Sequence, residues 1–439
     1  MRSRSLCLGA FFALFSCGNS PEPLAPPPSQ EAVNTQPKAP LTPKEPKAAA
    51  AIAGEMKTPQ PSDGKAKMAA TFEDDLAFLK RFGEVLVLES EEGGRVLLSA
   101  KYQGRVMTSA VSPGGRSLGW VNRGFIEYNK TGTQFDNYGG EDRFWLGPEG
   151  GQFGLYFPPG KPFEFSHWQT PQGFQEGEWA VGAKDAASVS FRRSMQVSNY
   201  SGTKFEIEVN RRVSLISKAA LEKQLGIAKL GNSLQWVAFE SENKIKNMGK
   251  QAWREKNGLV SIWILAMFQP AADMQVLVPF HKEGKGAIVN DSYFGKVPAD
   301  RLRVNEKEGY LEFRCDGALR SKIGLSPERA KNVLGSYSAS DKLLTIVQYD
   351  KPKAGGPYVN SLWELQKNPF EGDVVNSYND GPTEPGKPAL GGFYELETSS
   401  PGAALKPGES MAHTHRTFHF MGDEKELDAI AKAVLGVNL

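Results

Sequence analysis

The chain has 439 residues, with 52 lysines and arginines against 50 aspartates and glutamates, so its formal net charge at pH 7 is only +2. Charges of both signs are interspersed, and this excludes the basic patches by which proteins bind nucleic acid. All eight tryptophans lie after residue 71, in a part of the chain long enough to bury a large core.

The first 17 residues have the layout of an export signal. Two arginines in MRSRS precede the apolar stretch LCLGAFFALF, which is too short for a stable membrane-spanning helix. The ending LFSC resembles the bacterial lipobox, in which the cysteine is acylated and becomes the mature N-terminus. We therefore expect a lipoprotein signal over 1–17, lipidation at Cys17 and a lipid-anchored protein of the cell envelope, at the outer membrane. The alternative is an ordinary signal peptide cut nearby, with Cys17 incidental.

The next segment, 18–70, has the composition of a tether. From Gly18 to Met68 there are eleven prolines, nine alanines and no aromatic residue. Such a segment cannot bury enough apolar surface to fold, and its prolines favour an extended spacer. The globular domain is then 71–439. Cys315 is the one cysteine in it, so we expect no intramolecular disulfide.

Helices are predicted at both ends of this domain. Thr71 and Asp74 form an N-terminal capping pattern before Phe72, Leu76 and Leu79, which recur at helical spacing. The last 17 residues repeat this arrangement, with capping residues Asp423 and Glu426 before an apolar helix face. A third, short helix is predicted in SPERAKNVL, residues 326–334.

Between the terminal helices the hydrophobic period is two, which indicates β-strands. RVLLSAKYQGRVMTSAVS predicts a hairpin around Gln103-Gly104, and KFEIEVNRRVSLI alternates apolar and polar residues. Five further segments continue the series between turn residues: LQWVAFESENKIKN, GLVSIWILAMF, MQVLVPF, GYLEFRC and DKLLTIVQYD. The fold class is therefore all-β with accessory helices, arranged as a large antiparallel sandwich or barrel.

Polar residues interrupt two strands near the C-terminus. In FYELETSS, Glu395 and Glu397 share one side of the strand, and in MAHTHRTFHFM, His413, His415 and His419 share one side. The first pattern also suits a solvent-exposed strand face. Histidines two apart on a strand lie about 6.5 to 7 Å apart, close enough to contact one ligand.

YELETSSP followed by LKPGESMAHT resembles the C-terminal signature of the galactose mutarotases (aldose 1-epimerases). The resemblance implies a β-supersandwich fold, a carbohydrate ligand and a general-base role for Glu397. By order and context, Arg143 in GGEDRFWLGPEGG is the counterpart of the sugar-contacting arginine. A base of this kind would take the proton from the anomeric hydroxyl while an acid protonates the ring oxygen.

The acid histidine of that family has no counterpart at the expected place. After the turn KNMGKQAW the chain continues as GLVSIWILAMF, with Trp263 in that vicinity. Either His413, His415 or His419 supplies the acid from another strand, or the protein binds glycans without changing them. We assign Glu397, His413 and His415 as candidate catalytic residues and Trp263 and His419 as ligand contacts.

Other candidate sugar contacts lie in two segments. Trp145 could stack on a sugar face beside Arg143 and Glu149, although Arg143 could equally pair with Asp142 or Glu149 in a structural role. Asn376 and Asn379 could reach a ligand from the loop NSYNDGP.

The remaining expectations concern cofactors and partners. A zinc or calcium site built from His413, His415 and Glu397 is a rival hypothesis, but no other ligand spacing supports it, so we expect no metal. The glycines around Arg143 are followed by no Lys-Ser/Thr, so a nucleotide loop and any cofactor are not expected. We expect a monomer whose partners are a carbohydrate and, through the lipid anchor, a membrane.

Overall fold

The computed structural model describes residues 70–439 apart from 129–131, 133, 176, 353–354 and 383–385. The predicted signal, Cys17 and the tether up to residue 69 lie outside the described residues. Among the described helices, none combines the length and apolarity needed to cross a membrane.

Five α-helices flank the strands among the residues that the structure describes. They are α1 Phe72–Lys80, α2 Arg123–Tyr128, α3 Gln172–Gln175, α4 Lys218–Leu225 and α5 Glu424–Val434. The predicted capping box is present in α1, where Thr71 and Asp74 exchange side-chain-to-backbone hydrogen bonds. The terminal helices are thus confirmed, although Asp423 makes no side-chain capping hydrogen bond at the start of α5. The helix predicted over 326–334 is wrong. Residues 327–329 form a turn, and the chain enters a strand at Val333 because its apolar residues complete a sheet.

Eighteen β-strands form in the described part of the chain. The first nine are β1 Val85–Glu89, β2 Arg95–Ser99, β3 Arg105–Ala110, β4 Arg143–Gly147, β5 Ala180–Lys184, β6 Ser188–Ser198, β7 Lys204–Leu215, β8 Gln235–Asn247 and β9 Ser261–Phe268. The others are β10 Gln275–Pro279, β11 Leu302–Asn305, β12 Tyr310–Arg314, β13 Ser321–Leu325, β14 Val333–Ser338, β15 Leu343–Tyr349, β16 Val375–Asn379, β17 Tyr394–Ser399 and β18 Ser410–Met421.

These strands form three antiparallel sheets. The largest has ten strands in the order β11-β12-β10-β14-β15-β18-β8-β7-β6-β5, and the second has five in the order β13-β16-β17-β9-β4. The third is β1-β2-β3, whose hairpin turn uses Gln103 and Gly104 in the left-handed conformation, as the sequence predicts. The prediction of an all-β fold with accessory helices is confirmed.

The main core lies between the ten-stranded and the five-stranded sheets. Val209 and Ile207 of β7 and Ile262 and Ile264 of β9 are among its buried residues. The other face of the ten-stranded sheet is covered by α4 and α5, where Leu427 and Ile430 pack against Phe418 and Phe420. Every residue of β9 is buried, because one side of this strand faces the core and the other is covered by loops. That second, loop-covered side of the five-stranded sheet carries the candidate site.

Candidate functional site

Strand β17 divides its polar side chains between the two faces of the five-stranded sheet. Tyr394 and Thr398 point toward the ten-stranded sheet, where they bond Ser336 and His413. Because side chains alternate along a strand, Glu395 and Glu397 point to the opposite, loop-covered face. Both carboxylates are buried, so the interpretation of a solvent-washed strand face is not what the structure shows.

Glu397 is fully buried, and one of its carboxylate oxygens accepts two hydrogen bonds. Its Oε2 accepts hydrogen bonds from Trp263 Nε1 and from Lys322 Nζ, each at 2.9 Å. Burial alone would lower the pKa of Lys322, but the carboxylates of Glu397, Glu149 and Glu395 outweigh it and raise the pKa. The lysine therefore stays charged and neutralises Glu397. The second oxygen, Oε1, is buried and has no hydrogen-bond partner among the described residues.

A second buried pair of a basic and an acidic side chain lies beside the first. Arg143 Nη2 donates to Glu395 Oε1 at 2.5 Å, and the guanidinium carbon lies 4.6 Å from the ring centre of Trp145. Burial raises the pKa of Glu395 to about 8, with Arg143 opposing the rise and Glu397 adding to it. Arg143 pairs with neither Asp142 nor Glu149. Asp142 binds Arg211 in the core, and Glu149 accepts from Trp168.

Two cavities open next to these pairs. The smaller, of about 20 Å³, has Trp263, Lys322, Tyr293, Asp373 and Asn376 in its wall. That is room for about one water molecule. The larger, of about 80 Å³, we call the aromatic groove, and Arg143, Glu395, Lys322 and Arg320 also border it. Its rings include Phe135, Trp145, Phe165, Trp168, Trp263 and Trp363.

Glu149 belongs to the wall of the aromatic groove. Its Oε1 accepts a hydrogen bond from Trp168 Nε1 at 2.8 Å, and the indole of Trp363 also donates to the carboxylate. Burial raises the pKa of Glu149, and the nearby charge of Lys322 and these indoles counteract the rise. The carboxylate thus fixes the orientation of two rings whose faces border the groove.

The two candidate asparagines have different surroundings. Asn376 lines the small cavity and donates to Tyr293 Oη at 3.1 Å, while that hydroxyl donates to Asp373. Asn379 lines neither cavity. It accepts from the Gly317 amide and donates to the Leu319 carbonyl, so it holds a turn next to β13.

The three histidines lie on the core side of the five-stranded sheet. His413 Nε2 and His415 Nδ1 share the hydroxyl of Thr398, at 2.8 and 2.9 Å. His419 bonds Thr345 and Glu141. Thr398 follows Glu397 and points the opposite way, so the sheet itself separates the imidazoles from Glu397. The structure therefore brings Glu397 together with Arg143, Trp145, Trp263 and Asn376, but not with the histidine row.

Several residues of the site were not among the sequence candidates. The cavities are also lined by Lys322, Glu395, Tyr293 and Trp363. For all of these except Glu395, nothing in the local sequence distinguishes the residue from one at the surface. A usable signal existed only for Glu395, which shares the face of Glu397 two positions away. Within the described ranges, no group of three or more His, Cys, Asp or Glu side chains could hold a metal ion.

The arrangement offers two kinds of chemistry. Aromatic rings beside a few fixed polar groups suit a ligand with both apolar and hydroxyl-bearing faces. The carboxyl groups of Glu395 and Glu397 are two residues apart on one strand and have different partners, Arg143 for the first and Lys322 with Trp263 for the second, so two acids in different surroundings share one face. Glu397 itself lies beneath Trp263 and Lys322, and its free oxygen becomes reachable only if those side chains move.

Comparison with solved structures found similar chains at low identity. One is a provisionally named aldose 1-epimerase from Escherichia coli K12, with 10% identity, 76% of this chain and 99% of that chain covered, and a TM-score of 0.46. A protein from Synechocystis, Slr1438, has 12% identity, coverage of 77% and 96%, and a TM-score of 0.45. A galactose mutarotase-like protein from Lactobacillus casei has 10% identity, coverage of 76% and 100%, and a TM-score of 0.41. At these values the similarity supports no statement about activity.

No curated protein matches the sequence. One family model matches residues 70–439, which span the whole described range, and its description is a family of unknown function, DUF6786. The chain belongs to this family, DUF6786.

Proposed function

We propose that this protein binds carbohydrate in the aromatic groove. The observation that carries the proposal is a groove walled by aromatic rings with a buried Arg143–Glu395 pair in its wall. A pyranose ring has apolar faces that stack on aromatic rings and hydroxyls that bind charged groups, so the two kinds of lining match the two kinds of sugar surface.

Unused hydrogen-bonding capacity supports this proposal. The Nε of Arg143 and the Oε1 of Glu397 are both buried and have no partner in the described part of the chain. A buried polar atom without a partner is costly, and such atoms at a groove are satisfied by water or by a ligand. Sugar hydroxyls can act as donor and as acceptor, so they can accept from Arg143 Nε and, once Trp263 and Lys322 have moved aside, donate to Glu397 Oε1.

The test is a titration of the domain with neutral mono- and oligosaccharides, followed by tryptophan fluorescence and calorimetry. Trp363→Leu should weaken binding about five- to tenfold, which is about 1 kcal/mol or slightly more for one lost aromatic platform. Tyr128→Leu removes an exposed ring outside the groove and is the control. If no saccharide binds, or if both variants lose affinity equally, the proposal is wrong.

A second candidate function is proton transfer at the anomeric centre of the bound sugar. The free Oε1 of Glu397 favours it, because a general base needs an unoccupied lone pair. In this scheme Glu397 accepts the proton of the anomeric hydroxyl, and Glu395, in place of a histidine, protonates the ring oxygen. The ring opens, and closure on the other face inverts the centre.

NMR exchange spectroscopy of aldose anomers separates the two candidates. The enzyme hypothesis expects exchange above background with the wild type, loss of it in Glu397→Gln, and no change in Glu409→Gln, an exposed control. Saccharide binding without faster exchange would leave the binding function alone. Acylation of Cys17 and a lipid-anchored position in the envelope complete the proposal, with the anchor keeping the groove at a membrane.

A further inference from the structure

We propose that the saccharide bound in the aromatic groove is anionic and that its charged group binds Arg320. The inference rests on the proposed carbohydrate-binding function and narrows it to a ligand class: sugars that carry a carboxylate, sulfate or phosphate group. The shared chemistry is an oxyanion on a sugar.

Arg320 stands at the rim of the aromatic groove, immediately before β13. Its guanidinium carbon lies 3.9 Å from the ring centre of Phe294, which is itself exposed. The Nε donates to Tyr378 Oη at 3.3 Å. Both contacts hold the guanidinium plane in place and leave its two terminal nitrogens without a hydrogen bond or ion pair to any described residue.

Arg320 is the basic residue of the groove wall that has no carboxylate partner among the described residues. Of the three basic residues in the groove wall, Arg143 pairs with Glu395 and Lys322 pairs with Glu397. Neither pair carries excess negative charge that would repel an anion. Arg320 has no such partner within the described ranges.

The two other acids near the groove are satisfied elsewhere. Glu149 takes indole donors from Trp168 and Trp363. Asp380 accepts from Tyr378 Oη at 3.0 Å and from the amides of Gly391 and Gly392, each at 2.8 Å. Asp380 is therefore linked to Arg320 only through the tyrosine hydroxyl.

A guanidinium with both terminal nitrogens free is a fork that matches the two oxygens of a carboxylate or sulfate. Stacking on Phe294 covers one side of the fork without using its donors. A neutral sugar would leave this charge unpaired and would strip part of its water. The geometry thus favours an acidic sugar over its neutral counterpart.

The experiment compares acidic and neutral ligands of the same size on the full domain. The probes are galacturonate trimer, galactose 6-sulfate, galactose 6-phosphate, galactose and a neutral galactose trimer, titrated by calorimetry at 50 and 500 mM NaCl. We expect at least one acidic probe to bind ten times or more tighter than its neutral match at low salt. High salt should remove most of this preference. The three acidic arms distinguish carboxylate, sulfate and phosphate.

Variants complete the test. Arg320→Gln should abolish the preference for the acidic probe while neutral binding stays within twofold, and Arg303→Gln, an exposed arginine outside the groove, should leave the preference intact. Equal binding of acidic and neutral probes by the wild type, or a salt-insensitive preference, overturns this inference and leaves the proposed function standing. Absence of any saccharide binding overturns both. If Arg320→Gln does not fold, the wild-type titrations at 50 and 500 mM NaCl still test whether the protein prefers an anionic sugar.

Discussion

The histidine pair in the core predicts how stability changes with pH. His413 and His415 are buried and share one hydroxyl, that of Thr398, which has a single hydrogen, so at most one of the two rings can accept from it. Burial is the main cause that lowers the pKa of His413 to about 3 and of His415 to about 4; the charge of the neighbouring imidazole adds to the effect at His413. Both rings are therefore neutral in the folded protein down to about pH 5.

The sign and size follow from proton binding. Below pH 6.5 the unfolded chain takes up a proton on each ring that the folded protein refuses, so stability falls as pH falls from 6.5 toward 4. At pH 5 the loss is about 2 kcal/mol for each ring and about 4 kcal/mol for the two.

Glu395 has the opposite effect on how stability depends on pH. Its pKa is raised to about 8, so between pH 5 and 7 the folded protein keeps a proton that the unfolded chain has released. Stability from this group is present at low pH and is lost as pH rises toward 8, by roughly 2–3 kcal/mol between pH 5 and 7. The three groups together predict a net loss of only about 1 kcal/mol on going from pH 7 to pH 5.

Urea unfolding at pH 7 and pH 5 tests this reasoning, with each variant compared only with itself. Glu395→Gln should increase the loss at pH 5 to about 4 kcal/mol, and His415→Gln should turn the net loss into a small gain. His167→Gln, at a histidine outside the core, is the control and should leave the wild-type difference almost unchanged. If Glu395→Gln and His415→Gln keep the wild-type difference within about 0.5 kcal/mol, the assigned protonation states are wrong.

Two further predictions concern the buried pair and the anchor. Lys322→Met leaves Glu397 buried without its counter-ion and should lower the free energy of unfolding in urea by about 3–5 kcal/mol. The double variant Lys322→Met/Glu397→Gln should recover at least about 1 kcal/mol of that loss. If the effects of the two substitutions on the free energy of unfolding are strictly additive, the pairing is contradicted. Cys17→Ser should abolish incorporation of a fatty-acid label and move the protein from the detergent phase to the aqueous phase, and labelling equal to that of the wild type would refute lipidation.

The sequence alone determined the local features of this domain. The capping box at Thr71, the hairpin at Gln103-Gly104 and the strands from Lys204 to Asn247 follow from residues close together in the chain. Alternation also placed Glu395 and Glu397 on one face of β17, since the period of a strand is two in any sheet. The helix predicted over 326–334 is instead a turn at 327–329, because these residues have helix-forming propensity but no apolar face that a helix would bury.

Tertiary structure decided which of those faces meet. β17 and β18 are consecutive strands, but they lie in different sheets, so the acidic face of one and the histidine face of the other never oppose each other. Lys322 reaches Glu397 from 75 residues away and Arg143 reaches Glu395 from 252 away, through strand pairings that no local pattern specifies. Alternation fixes which side chains share a side of a strand, whereas the sheet that the strand joins depends on burial summed over the whole core.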